Sequence, residues 1–129
     1  MIDAQQVDFV GFFVRDLAEA RRFYGEVLGL TRDPRNSNDD FPQYDVGGTT
    51  LLLTRAEAVG APFAPSPGGV AIRVPDVAAA RTDLEAQGVA FRGDTIDTGV
   101  CHMAVFADPD GNTLVLHHRY APFADGSTP

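Results

Sequence analysis

Residues 12–21 of this chain recur sixty positions later. Phe12-Phe13-Val14-Arg15-Asp16-Leu17-Ala18-Glu19-Ala20-Arg21 runs beside Ile72-Arg73-Val74-Pro75-Asp76-Val77-Ala78-Ala79-Ala80-Arg81, with Val14/Val74, Asp16/Asp76, Ala20/Ala80 and Arg21/Arg81 identical. Each copy reads as a strand, an aspartate suited to start a helix, and an amphipathic helix that ends near a glycine, Gly29 or Gly88. A repeat of this length predicts two equivalent modules, and two modules that face each other enclose a cleft where a ligand is expected.

The 129 residues, 44% hydrophobic, suit one structural domain or two half-domains sharing a core. The net charge of −8 repels phosphate backbones and anionic lipid, which argues against nucleic acid and membrane surfaces as partners. Cys101 is the sole cysteine, so no internal disulfide forms, in keeping with a reducing compartment. Residues 1–7 hold an acid and no Lys or Arg, the apolar run after them is short for a signal peptide, and no stretch approaches the ~18 apolar residues of a membrane span. A soluble cytoplasmic protein is expected.

Val7 to Val14 is apolar and β-rich, and predicts the first strand. Leu17, Ala20, Phe23, Tyr24, Val27 and Leu28 recur at helical spacing. Residues 30–33 start a short strand, and 33–40, with Pro34, Asn36, Ser37 and Asn38, read as a loop. Gln43 to Val46 and Thr49 to Thr54 are strands joined at Gly47-Gly48. The first β-α-β-β-β module thus spans residues 1–56, and 57–68, carrying Pro62, Pro65 and Pro67, is a linker. In the second module, 69–119, Val70 to Val74 is a strand and Val77, Ala80, Leu84 and Ala86 mark a helix face. Val89 to Arg92 opens a strand running toward Ile96, and Val100 to Ala107 with Thr113 to His118 form a hairpin across Asp108-Pro109-Asp110-Gly111-Asn112. The C-terminal tail is 120–129, and its small, polar part after Ala121 is expected to fray.

Two β-α-β-β-β modules, the Val14-Arg15-Asp16-Leu17 opening with Arg22-Phe23-Tyr24 and Leu28-Gly29-Leu30, and the late Asp108–Asn112 turn resemble the vicinal oxygen chelate superfamily, which includes glyoxalases, bleomycin-resistance proteins and extradiol dioxygenases. The resemblance covers about residues 7–119. It implies an α+β fold in which the tandem modules form an eight-stranded, cleft-forming curved mixed sheet with helices outside, and it implies a homodimer. It does not specify an activity, because the fold hosts several chemistries and some pure binders.

Strand side chains alternate, so Val10, Phe12 and Val14, with Val70, Ile72 and Val74, are expected under the helices. Phe9, Gly11, Phe13 and Gly69, Ala71, Arg73 then face the cleft. A five-residue hairpin loop pairs Ala107 with Thr113, Val105 with Val115 and Met103 with His117, which adds Thr113, Val115, His117, Val105, Met103 and Cys101 to the cleft face and sends Leu114 and Leu116 beneath the sheet. A one-residue slip would reverse every one of these assignments.

In superfamily members that are metal enzymes, four matched strand positions supply His and Glu-type ligands. The resemblance maps these onto Phe9, Leu52, Gly69 and Val115, none of which has a donor atom. Asp8 is the only ligand-type residue adjacent to any of them. His117 and His118 are neighbours on a strand and point to opposite faces, and His102 faces away from the cleft set. Asp108 and Asp110 share features with a calcium loop, but their sequence is first a turn. No metal and no cofactor are expected.

The remaining candidates have two readings each. His117 is a hydrogen-bonder or general base, or simply a half-exposed strand-end histidine. Arg73 binds an anionic group, or pairs with a helix acid or a partner subunit. Cys101 is a nucleophile, or a small buried apolar group. Phe9 and Phe13 stack on an aromatic ligand, or fill the cleft. Ser37, Ser66 and Ser127 lie outside any nucleophile elbow, and no phosphate-binding glycine loop is present. The favoured expectation is a metal-free cleft that binds a small apolar or aromatic molecule through Phe9, Phe13, Leu52, Arg73, Cys101, Met103, Val105, Val115 and His117, as in drug or metabolite sequestration. The alternatives are a lyase, isomerase or dioxygenase-like enzyme with a non-standard site, and a regulatory or assembly subunit with a filled cleft.

Overall fold

The two repeated aspartates do the same work in the computed structural model, which describes residues 1–36 and 38–129. Asp16 sits in extended backbone and accepts a hydrogen bond from the Glu19 N–H at 3.0 Å, and Asp76 accepts one from the Ala79 N–H at 3.0 Å. Each satisfies one of the orphan donors that open a helix. Helix α1 (Leu17–Arg21) and helix α2 (Val77–Ala86) follow.

Strands β1 (Phe9–Val14), β2 (Thr31–Arg32), β3 (Gln43–Val46) and β4 (Thr49–Arg55) form one four-stranded mixed sheet in the unit Met1–Pro65. Strands β5 (Val70–Arg73), β6 (Ile96–Asp97), β7 (Cys101–Ala107) and β8 (Thr113–Arg119) form a second in the unit Ser66–Pro129. Both sheets run first, fourth, third, second, with the first and fourth strands parallel and the others antiparallel. The parallel registers are equivalent too. Val10, Gly11 and Phe12 lie opposite Leu51, Leu52 and Leu53, while Val70, Ala71 and Ile72 lie opposite Leu114, Val115 and Leu116. The division between units falls inside the 57–68 segment, which begins in a short 3₁₀ turn, Ala56–Val59.

One face of each sheet is packed. Phe12, Val14, Tyr44, Leu51 and Leu53 are buried with Phe23 and Tyr24 in the first unit, and Ala104, Phe106, Leu114 and Leu116 with Val77 and Leu84 in the second. Burying a side chain of this size contributes about 1.5–3 kcal/mol each. No helix among the described residues is long and apolar enough to cross a membrane.

Several local expectations change. Strand β1 begins at Phe9 instead of Val7, because its partner β4 starts at the Gly47-Gly48 turn and Thr50 is opposite Phe9. The first helix widens after Arg21 into a π-helical stretch, Arg22–Val27, with the Leu28 N–H bonded to the Phe23 carbonyl at 2.9 Å. The buried Tyr44 phenol donates to the Arg21 carbonyl at 3.4 Å, and Gly25 passes its ring without a side chain. A side chain reaching into the helical ladder is a recognised cause of such a widening. Ala20, Phe23 and Tyr24 are buried, while Leu17, Val27 and Leu28 are only half-buried.

In the second unit, Ala86 is exposed and Val77 and Leu84 carry the buried face of α2. The strand expected from Val89 to Ile96 is interrupted. Phe91 makes one isolated bridge to Phe106, Gly93 turns the chain at φ 71°, and pairing resumes only at β6. The start of the tail is held to the sheet. The Arg119 Nε and Nη2 donate to the Ala121 and Pro122 carbonyls at 2.9 Å, its guanidinium stacks on Phe123, and the Tyr120 and Ala121 N–H groups both bond to the Val100 carbonyl. Ser37, read from sequence as a loop residue, lies outside the described residues.

The Asp108–Asn112 turn is a structural knot. Asp108 accepts from the Asp110 and Asn112 N–H groups at 2.9 and 2.8 Å and from the Asn112 side-chain amide at 2.8 Å. The Asn112 side-chain oxygen accepts from the Ser66 N–H at 2.8 Å, and the Thr113 N–H bonds back to the Ser66 carbonyl. Both Asp108 oxygens are thus engaged in the turn itself. Asn112 is fully buried, so Asn112→Ala strands the Ser66 N–H and an Asp108 oxygen. We expect a loss of about 2–4 kcal/mol in urea unfolding with an unchanged m-value, since each orphaned buried group costs about 1–3 kcal/mol.

Candidate functional site

The face of each sheet turned away from the helix side carries the sequence-predicted residues, and each face is described on its own. In the first unit, Phe9, Gly11 and Phe13 on β1 lie beside Thr50, Leu52 and Thr54 on β4. Phe9 is 57% exposed, whereas Phe13 and Leu52 are half-buried. A recess of about 600 Å³ opens beside Phe9. Apart from Phe9 and Val7, polar groups border it, including Asp8, Gln43, Thr50 and the Asp33–Arg35 ion pair.

That ion pair was not singled out from the sequence, where 33–40 read only as loop. Asp33 is buried, and its carboxylate accepts from the Arg35 backbone N–H at 2.9 Å, from Nε at 3.0 Å and from Nη2 at 2.7 Å. The side-chain bonds to Arg35, followed by its backbone N–H, hold the Asp33 carboxyl at about 2, below the usual 3.8. Pro34 sets the turn that lets two residues so close in sequence meet; the Asp-Pro-Arg spacing was the available signal.

In the second unit the registers place the residues in rows. Arg73, His117 and Met103 form one row, Ala71, Val115 and Val105 the next, and Thr113 and Ala107 a third. Paired residues share a face, so Arg73, Met103, Val105, Val115 and His117 lie together, with Cys101 on the same side of β7. Gly69 belongs here as well: a Cβ built on it would lie 2.9 Å from Val115 Cγ2 and 3.4 Å from Thr113 Cγ2. Arg92 Nη1 donates to Thr113 Oγ1 at 3.0 Å, which adds a cation that the sequence reading placed only in a strand start. Cys101 is buried, with Sγ 3.0 Å from Thr98 Oγ1. On the other side of β7 and β8, His118 Nδ1 is 3.0 Å from the Val74 carbonyl, and His102 Nε2 is 3.5 Å from Asp97, which also accepts from the Tyr120 phenol at 2.8 Å. The Gly99 N–H and then that phenol keep the Asp97 carboxyl below its usual range.

The four positions that would ligate a metal by resemblance pair off within the units. Phe9 and Leu52 are neighbours on β1 and β4, and Gly69 touches Val115. None of the four side chains has a lone pair to offer a cation, and among the described residues no group of three or more His, Cys, Asp or Glu could hold one. These residues do not fit the metal of the superfamily's enzymes.

Two outcomes follow from this geometry. Gly69→Ala should cost about 1–3 kcal/mol by overpacking against Val115, and Val115→Ala in the same chain should recover part of that loss in a double-mutant cycle of urea unfolding. An additive cycle would separate the two positions. The second concerns acid. Asp33 has a folded pKa of about 2 against 3.8 unfolded, so its stabilisation is present above pH 3.8 and disappears as pH falls toward 2. Arg35→Gln should flatten the thermal-melting curve over that window.

The fold and sequence are shared with known proteins. A family model for the Glyoxalase/Bleomycin resistance protein/Dioxygenase superfamily matches residues 6–116. None of the curated proteins matches the chain. Among solved structures, a putative glyoxalase family protein from Bacillus anthracis superposes with a TM-score of 0.76 at 20% identity, covering 93% of this chain and 99% of that one. TnmS3, an antibiotic binding protein from Streptomyces sp. CB03234, gives a TM-score of 0.75 at 27% identity over 93% and 100% of the two chains. Lactoylglutathione lyase from Agrobacterium tumefaciens gives 0.72 at 18% identity over 88% and 93%. The repeated module, its duplicated sheet order and a match over nearly the whole chain lead to one conclusion: this protein belongs to the Glyoxalase/Bleomycin resistance protein/Dioxygenase superfamily.

Proposed function

We propose that this protein binds a small apolar or aromatic molecule without a metal, as a cytoplasmic, homodimeric sequestering protein. The observation that carries the reading is the occupancy of the four ligand positions by Phe9, Leu52, Gly69 and Val115, with Gly69 packed on Val115 so that no larger side chain stands there. Where a metal enzyme needs imidazole and carboxylate, this chain has the exposed Phe9 ring, the half-buried Leu52 and the buried Val115, apolar groups that suit a ligand bound by area. Val105 and Met103 extend the apolar patch, Phe13 and Leu52 extend the other, and Cys101 contributes bulk, its thiol being engaged with Thr98. The similarity to an antibiotic binding protein supports a binder over an enzyme. The homodimer follows from the superfamily habit and from sheets whose outer strands need cover.

The reading is tested with a neutral aromatic probe, 2-naphthamide, in the presence of EDTA. The protein as purified should carry no stoichiometric Ni, Zn, Fe or Mn by elemental analysis. The probe should raise the melting temperature, with a stabilisation of about 2.7 kcal/mol at a hundredfold excess over Kd. Val115→Glu, which sets a carboxylate in the patch, should remove that rise while the variant still melts cooperatively. One metal per chain lost on Phe9→Ala, or a probe response abolished by EDTA, would overturn it.

A further inference from the structure

We infer that Arg73 and the recess beside it form a subsite for the carboxylate of a small organic acid with an apolar body. The inference rests on the small-molecule reading above and names the ligand's polar end. Arg73 lies opposite His117 across β5 and β8, as the strand pattern predicts, and a cavity of about 370 Å³ opens at the end of β5, lined by Arg73, His118, Arg119, Tyr120, Thr128 and Pro129. That volume suits the head of a small ligand.

The four arginines of the second unit divide sharply. Arg81 bonds to Glu85 and Thr95 and stacks on Phe91. Arg92 bonds to Thr113. Arg119 bonds to two carbonyls and stacks on Phe123. Among the described residues the Arg73 guanidinium has no hydrogen-bond or ion-pair partner, and Arg73 is exposed and borders the recess. Arg22, exposed in the first unit, likewise has no side-chain partner among the described residues, but within the second unit Arg73 is the exception among four.

The balance of charge favours an anion: Arg73 and Arg119 border the recess and no Asp or Glu does, the one opposing charge being the α-carboxylate of Pro129. Asp97, the nearest acid by bonding, is engaged by the Tyr120 phenol and the Gly99 N–H and is not part of the wall. A planar fork such as Arg73 matches a carboxylate with two parallel N–H donors, which a point charge cannot do. The Tyr120 ring and Pro129 supply apolar wall for the rest of the molecule. His118 is anchored to the Val74 carbonyl and so closes one side in a fixed orientation.

The test compares 2-naphthoate with neutral 2-naphthamide by isothermal titration calorimetry at low ionic strength. Wild type should prefer the acid by about tenfold, the scale of one charge-assisted bidentate contact. Arg73→Gln should abolish the preference and keep the naphthamide affinity, because the substitution removes no side-chain hydrogen bond or ion pair. Arg73→Lys should restore it only in part. Arg22→Gln, an equal change in net charge elsewhere, should leave it intact. The inference falls if the preference survives Arg73→Gln, or if wild type binds both probes equally. Equal binding would leave the apolar reading standing, whereas no binding of either probe would remove both. If Arg73→Gln instead changes the sedimentation mass and spares the preference, the residue guards the β5 edge and the subsite assignment is overturned.

Discussion

The parallel ladder between β1 and β4, repeated between β5 and β8, is the constraint on which the rest depends. A parallel pair cannot be joined by a tight turn, so in each unit the chain between its members passes through a helix and two further strands. The ladder's register sends Phe12, Val14, Leu51 and Leu53 into one core and Leu114 and Leu116 into the other. The alternate residues are then left on the opposite face whatever their chemistry. Phe9, Leu52, Gly69 and Val115 hold their positions through this register, and the same positions in a relative could hold ligating groups without any change of fold.

Polar groups near these faces are arranged to hold backbone more than to do chemistry. Asp16 and Asp76 cap helices, Asp108 and Asn112 tie the linker to the last hairpin, and Asp33 fixes its own turn through Arg35. The Asp33 carboxylate, held in this way, is a poor general base, because the Arg35 donors stabilise its charged form. On the Val115 face of the second unit the side chains left for a ligand are consequently apolar ones with His117, and Arg73 is the guanidinium of that unit without a partner among the described residues. That distribution is what a binding protein needs, since burial of hydrocarbon supplies affinity and one oriented ion supplies discrimination.

Much of the fold was legible because its signals are local. The Asp16/Asp76 repeat, the Gly47-Gly48 turn and the five residues from Asp108 to Asn112 act within a few residues of themselves, and the 108–112 loop length alone fixed the pairing of Met103 with His117 and Val105 with Val115. What was missed came from contacts between distant segments. The π-helical widening after Arg21 answers to Tyr44, twenty-three residues away, and the start of the tail is held by Arg119 and by the Val100 carbonyl. The strand expected after Val89 stops at Gly93 because the backbone takes a positive φ there, which hydrophobic alternation does not report.

The candidate site divides along the same line. From sequence alone came the two modules, the superfamily, the alternation that puts Val115 opposite Val105, and the absence of donor atoms at four matched positions. These are properties of residue order, and a two-residue period carries them intact. Only the tertiary structure decided which cations remain unclaimed. Arg73, Arg81, Arg92 and Arg119 are alike in sequence, and a guanidinium on a long flexible stem finds its partner by where the folded chain brings carboxylates, carbonyls and rings within about 3–5 Å. Three of them found one, and Arg73, at the end of an outer strand beside an open recess, did not.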